Sequence, residues 1–238
     1  MTDTETERAA LYDAVENIAN RVSEERSTLT ELDSAIGDAD HGANLDRGFK
    51  IVLEKLEDLE EPTPEEIAKT VGVAIISEVG GAAGPLYGGS CMHASQELAD
   101  GITRETTVAF ANAYLEKVKD SGGARVGDKT MVDALTPAVA TYEKSIEMDD
   151  LPPLEALAKA VDAAERGVAF TVPIRASKGR ASFLGQRSVG HQDPGATSTL
   201  FILEELLDTA EQYLEEGETD VDAFSPTIPD EEPEEAAE

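Results

Sequence analysis

Leu11, Val15, Ile18 and Val22 recur at spacings of four, three and four residues. That repeat lines one face of an α-helix and predicts a first helix from about residue 5 to residue 25. Leu45, Phe49, Val52, Leu53 and Leu56 predict a second. Thr63-Pro64-Glu65-Glu66 is a capping box with proline at the first helical position, and it opens a third helix carrying Ile67, Val71, Ile75 and Val79. A fourth follows Gly80-Gly81-Ala82-Ala83-Gly84-Pro85 and runs to about Ala99. Val108, Ala111, Leu115 and Val118 mark a fifth. Val132, Leu135, Val139 and Tyr142 mark a sixth, which Pro137 is expected to bend. Leu154, Leu157, Val161, Ala164 and Val168 mark a seventh, and Leu200, Leu203, Leu207, Ala210 and Leu214 an eighth. No stretch of comparable length alternates with period two, so the expected class is all-α.

The connections divide into two kinds. Glu61-Pro62, Asp100-Gly101-Ile102 and Asp149-Asp150-Leu151-Pro152 are short and plain. The other four are unusual: Leu32 to Asn44, Gly80 to Pro85, Gly122 to Asp128, and Lys178 to Gly195. Short connections force neighbouring helices antiparallel, so in an up-and-down bundle all four unusual ones emerge at the same end. That end is the expected site.

Composition narrows what the site can be. A net charge of −31 over 238 residues, with a pI near 4.2, excludes a phosphate backbone or an anionic membrane as the natural partner. The excess acid is spread along the chain, the kind of solvated surface that halophilic proteins carry. Cys91 is the single cysteine, which excludes an intrachain disulfide and Cys₄ metal sites. Without a signal-like N-terminus or an apolar run of membrane length, a cytoplasmic location is expected. From about Gly217 the chain is almost all Asp, Glu, Pro, Ala and Thr. Residues 1–216 are therefore expected to form one helical domain, and 217–238 a disordered acidic tail.

Within Leu32 to Asn44, Asp33, Asp38 and Asp40 fall in eight residues interrupted by Gly37. Asp and Gly both disfavour a helix interior, so the stretch reads as a loop. Carboxylates on a loop suit Mg²⁺, which takes oxygen ligands from one or two carboxylates plus phosphates. A charged turn followed by an N-cap is the plainer alternative. Neither frame of the stretch closes with the glutamate of an EF-hand. Gly80 to Pro85 reads either as bare backbone before a helix N-terminus, which binds anions, or as a tight corner between helices. Gly122 to Thr130 falls short of a P-loop, because Asp128 stands where lysine belongs and the stretch follows a helix. It can still edge a flat ring, with Met131 beside it. The last loop gathers Lys178, Arg180 and Arg187 from a chain with 19 basic residues. Guanidinium forks match phosphate oxygens and the spreading charge of phosphoryl transfer. His93 lies in a helical pattern and reads as structural, whereas His41 and His191 lie in unusual loops where a ligand would reach them. Chemistry alone leads to an Mg-nucleotide-dependent phosphotransferase.

The same motifs resemble the ADP-binding L subunits of dihydroxyacetone kinases. They are Leu32 to Asn44 with Arg47-Gly48-Phe49, Gly80 to Leu86, Gly127-Asp128-Lys129-Thr130-Met131, and Lys178 to Ala196. The resemblance covers roughly residues 8 to 215. It implies a closed barrel of eight antiparallel helices with nucleotide at one end. It implies that Asp33, Asp38 and Asp40 hold two Mg²⁺ ions against the ADP phosphates. His41, Gly42, Ala43 and Asn44 would contact nucleotide, Ala82 and Ala83 the phosphates, and Gly122 and Met131 the base and ribose. Arg180, Asp193, Pro194 and Gly195 would form the lid, with Arg180 as the catalytic cation. Ala83 stands where relatives often carry serine, which leaves backbone donors alone at that point.

In the phosphotransferase-system version, bound ADP accepts a phosphoryl group from a phosphohistidine on subunit M and passes it to dihydroxyacetone on subunit K. The resemblance leaves open the nucleotide half of an ATP-dependent dihydroxyacetone kinase, and an ADP-loaded partner of a transcription factor. A homodimer is a further open arrangement.

Overall fold

Thr63 opens its helix as its capping box requires: its hydroxyl accepts from the Glu66 backbone N–H, and the Glu66 carboxylate accepts from the Thr63 N–H. The computed structural model describes residues 4–219. Among them the α-helices are α1 (Thr4–Glu24), α2 (Arg26–Ile36), α3 (His41–Glu57), α4 (Pro64–Glu78), α5 (Gly89–Ala94), α6 (Arg104–Gly122), α7 (Met131–Glu147), α8 (Pro153–Thr171) and α9 (Pro194–Tyr213). A π-helical turn at Gly84–Gly88 leads into α5, a 3₁₀ turn at Ser95–Leu98 follows it, and a second 3₁₀ segment covers Arg180–Ser188. No strand occurs among the described residues, as the absence of period-two patterning requires. No helix among them is long and apolar enough to cross a membrane.

Packing runs in sequence order around the molecule. α1 lies on α3, α3 on α4, α4 on α5, α5 on α6, α6 on α7, α7 on α8, α8 on α9, and α9 returns to α1. The stripes read from the sequence point inward: Val15, Ile18, Val22, Phe49, Val52, Ile67, Ile75, Val118, Val132 and Leu135 share one buried cluster. Between α7, α8 and α9 the seam is mostly alanine: Ala134, Ala138, Ala160, Ala164 and Ala196. Small side chains there let the helix backbones approach. Gly167 shows how closely, since a Cβ on it would lie 2.2 Å from the Asp133 carbonyl oxygen. That carbonyl is the one Pro137, lacking an N–H, leaves without its intrahelical donor; α7 nevertheless runs unbroken through Pro137.

Two expectations are corrected. Of the expected loop Leu32 to Asn44, Leu32 to Ile36 are the last turns of α2, a helix that the apolar spacing did not predict, and His41 to Asn44 are the first turn of α3, which leaves 37–40 as the link. α2 is held by Leu29, which is fully buried in the main cluster. Tertiary burial of two or three residues outweighs the weak helix propensity of Thr, Asp and Ser. The expected fourth helix is not one uniform helix but the π turn, α5 and the 3₁₀ turn in series. There Gly72 and Gly88 bring α4 and the π turn so close that a Cβ on Gly88 would stand 2.5 Å from the Gly72 carbonyl. Residues 220–238, most of the expected acidic tail, lie outside the described residues.

Candidate functional site

Three of the four unusual connections meet at one cavity of about 220 Å³, and Lys129 to Met131, just past the fourth, complete it. Its walls come from Asp33 to Asn44, Gly80 to Tyr87, Lys129 to Met131, Lys178 to Ala181, and Asp193 to Gly195.

The carboxylates form the floor. Asp33 on the last turn of α2, with Asp38 and Asp40 from the short link to α3, can bring one oxygen each within 4.8 Å of one another. Asp33 is buried, and its Oδ2 accepts from the backbone N–H groups of Asp40 (2.9 Å) and His41 (3.3 Å). It therefore caps α3 from a neighbouring helix, a service that Asp40 at the N-cap position does not perform. Gly37 makes this possible: a Cβ there would stand 2.0 Å from Asp33 Oδ1. Ala39 takes a left-handed φ of 62°, which turns the chain back so that Asp38 and Asp40 share one side. The all-oxygen donor set fits Mg²⁺ by chemistry.

Arg180 stands beside this floor. Its Nη2 lies 2.8 Å from Asp38 Oδ2, and its side chain remains mostly exposed. The segment carrying it is not a loose coil. Arg180–Ser188 forms a 3₁₀ segment in which Ala181 and Leu184 pack on Ile36 and Ala176. Ser188 accepts from the Ala176 N–H and donates to the Gly185 carbonyl.

Two wall residues, Tyr87 and His41, belong to a buried hydroxyl network. The Tyr87 hydroxyl lies 2.8 Å from Ser198 Oγ, 3.1 Å from Thr199 Oγ1 and 2.9 Å from the Gly195 carbonyl. His41 Nε2 joins it, 2.8 Å from the same Ser198 oxygen. Burial pushes the Tyr87 hydroxyl up to about 12 and lowers His41 below the ordinary imidazole value. This network fixes the π turn, the start of α3 and the start of α9 against one another. Asp193 caps α9, accepting from the Ala196 N–H at 2.8 Å, and burial raises its carboxyl to about 7.

Of the residues picked from the sequence, Asp33, Asp38, Asp40, His41, Asn44, Ala82, Ala83, Met131, Arg180, Asp193, Pro194 and Gly195 line the cavity. Gly42, Ala43 and Gly122 do not. Gly42 is turned into α2, where a Cβ would stand 2.3 Å from the Arg26 carbonyl. Gly122 ends α6 and faces Leu86, itself a wall residue. The glycine-rich stretch before Met131 is a scaffold: Asp128 accepts from the Arg125 N–H and the Ser177 hydroxyl, and Asp133 from the N–H groups of Gly127 and Thr130. His93 is exposed on α5, and exposed His191 offers its backbone carbonyl to Lys129. Sequence reasoning missed Tyr87, Ser198 and Lys129. Lys129 stood inside a motif already singled out, and a lysine beside the N-cap Thr130 was the available signal.

Residues 35–208 match the DAK2 domain family. The chain is 42% identical over 186 residues to the ADP-binding subunit DhaL of the PEP-dependent dihydroxyacetone kinase of Escherichia coli K12, covering 77% of this chain and 88% of that protein. It is 37% identical over 188 residues to the corresponding subunit of the PTS-dependent kinase of Lactococcus lactis, covering 79% and 90%. The crystal structure of the C. freundii dihydroxyacetone kinase with AMP-PNP and Mg²⁺ superposes with a TM-score of 0.65 at 25% identity, over 84% of this chain and 34% of that one. The chain belongs to the DAK2-domain family, together with the ADP-binding subunits of PEP-dependent dihydroxyacetone kinases.

Proposed function

We propose that this chain is the ADP-binding subunit of a dihydroxyacetone kinase. A phosphoryl group comes from a phosphohistidine on a donor subunit M, is taken up on ADP in this cavity, and passes to dihydroxyacetone on a subunit K. The observation that carries the reading is the convergence of Asp33, Asp38, Asp40, the Gly80–Ala83 backbone and Arg180 on one cavity. The kinship with subunits named for ADP binding supports it.

Asp33, Asp38 and Asp40 would hold two Mg²⁺ ions. By formal counting these would leave about one positive charge facing the phosphates. The protein has little covalent work in such a transfer; it orients the phosphates and meets the charge that spreads over the moving group. Ala82 and Ala83 present backbone to the phosphates, Asn44 lies beside Gly80, and Met131 supplies apolar contact for the base. Asp193, Pro194 and Gly195 close the site, and Arg180 adds the last increment of positive charge. The His41 ring, held by Ser198, acts by fixing the start of α3. The cyclic packing of α1 and α3–α9 supports a closed barrel of eight antiparallel helices, with α2 as an added element carrying Asp33. On this reading residues 1–216 are one domain and the acidic tail takes no part in catalysis.

The test has two parts. Stoichiometric ADP should be released when purified protein is heat-denatured, and single-turnover transfer to dihydroxyacetone should require subunits K and M. Transfer from free ATP with subunit K alone, and no resident ADP, would favour instead the nucleotide half of an ATP-dependent kinase, the reading that the AMP-PNP-bound relative supports.

A further inference from the structure

Lys129 is the largest fully buried side chain among the described residues, 1% exposed. It takes a left-handed φ of 62°, costly for a branched-at-Cβ or long side chain and kept where the surroundings over-determine it. The surroundings here are backbone carbonyls. Its ammonium donates to Thr171 at 2.5 Å, to His191 at short range, and to Ile174 at 3.4 Å. An ammonium has three donors and no acceptor, so three carbonyls match it. Thr171 is the last residue of α8, whose final carbonyls lack intrahelical donors and favour a cation.

These three carbonyls stand at the two ends of one excursion of the chain. Thr171 and Ile174 precede it and His191 follows it. Between them run Lys178, Arg180 and the 3₁₀ segment, and just beyond lie Asp193 to Gly195. Two further bonds close the same neck, from the Gly190 N–H to the Val172 carbonyl at 2.8 Å and from the Asp193 N–H to the Thr171 hydroxyl at 3.0 Å. The excursion is thus an Ω-loop with its ends pinched together by a side chain from a different connection. Its apolar anchorage is slight: Ala181 and Leu184 against Ile36 and Ala176.

We propose that Lys129 is a positioning residue for phosphoryl transfer, the staple whose three carbonyl bonds hold the neck of the 175–192 lid so that Arg180 reaches the transferring group. It rests on the lid role given to Arg180 above. Lys129 does not touch the phosphates itself, because its donors are spent on carbonyls. Its loss therefore acts through Arg180, and once Arg180 is gone there is little left for the staple to position.

That dependence gives the test: a double-mutant cycle of Lys129→Met and Arg180→Ala, read as single-turnover transfer at saturating nucleotide and as MgADP affinity. Lys129→Met alone should lower transfer about tenfold or more and affinity only a few-fold, as for lost positioning. In the Arg180→Ala background it should cost less than about threefold. Hydrogen exchange on the MgADP-loaded protein, which needs no partner subunit, should quicken across 175–192 while α1, α3 and α4 stay protected. Multiplying losses, or unchanged exchange in the lid, overturn the proposal. Where Lys129→Met fails to fold, Lys129→Gln, which keeps two donors, carries the same cycle. Failure of both to fold also overturns it, since the ammonium then holds the bundle rather than the lid. Absence of transfer in the wild-type protein tells against the kinase reading instead, and leaves the exchange result to judge the staple.

Discussion

Gly37→Ala separates the carboxylate floor from the fold. A Cβ at residue 37 would stand 2.0 Å from Asp33 Oδ1 and 2.8 Å from its Cγ. Carbon and oxygen rest near 3.3 Å or beyond, so the carboxylate must move by roughly 1 Å or more. It is the end of a short side chain at the cavity and can swing, while the Asp33 carbonyl, 3.0 Å from the same Cβ, asks only a small give of the last turn of α2. The swing breaks its bonds to the N–H groups of Asp40 and His41. Those are two hydrogen bonds to a charged acceptor at a partly wet helix start, which places the stability cost at about 1–3 kcal/mol. For a domain of this size that is a fall of several degrees in Tm, at about 2–4 °C per kcal/mol. The effect on metal is larger in proportion. Mg²⁺ demands near-ideal octahedral geometry, and a displaced ligand or ligand support costs about 10–100-fold. Calorimetric titration of ADP should therefore show Mg-dependent affinity reduced by about that factor. The far-UV circular dichroism should match wild type. Unchanged MgADP affinity in a variant with native helicity would refute the assignment of Asp33 to the metal.

Arg180→Ala should reduce saturated transfer on the order of a hundredfold, with only a few-fold loss in ADP affinity; equal losses in both would make Arg180 a ground-state anchor. Asp193→Asn tests the buried cap. The folded carboxyl, raised by burial to about 7 from an ordinary 3.8, binds its proton more tightly than in the unfolded chain. Folding stability therefore falls as pH rises from about 4 to about 7. Asparagine keeps the capping oxygen without the charge, so unfolding free energies in nucleotide-free buffer should differ least below about pH 4 and favour the variant at pH 8, by about 1–4 kcal/mol; a difference that ignores pH would contradict the burial argument. Leu29→Ala, which empties a fully buried position, should cost about 2–5 kcal/mol in chemical denaturation and lower MgADP affinity through loosened α2. A cost below about 1 kcal/mol would mean that α2 does not depend on this anchor.

Much of this protein is decided by local pattern. Stripes such as Val15, Ile18 and Val22 turn inward because a 3.6-residue repeat leaves a helix no other way to bury them. The Thr63 box starts α4 because its partners lie three residues apart. Alternation of plain and unusual connections pointed to one end, and most of the cavity wall comes from three of those connections. What local pattern could not carry was anything set by distant neighbours. Leu32 to Ile36 reads as loop by composition, yet Leu29 is buried in the main cluster and Ile36 against Ala176 and Ala181, far along the chain, and that burial makes it helix. Asp33 reads as a ligand, and only the fold shows that it also caps α3. Gly42 reads as a nucleotide contact, and only the approach of α2 shows that its missing side chain serves packing. The place of Lys129 beside an N-cap marks the residue but not its partners, because its three carbonyls lie 42, 45 and 62 residues away. Periodicity and capping act within a few residues and can be read in one dimension. Burial, and the pairing of buried polar groups, are settled by whatever the chain brings alongside, and that exists only once it has folded.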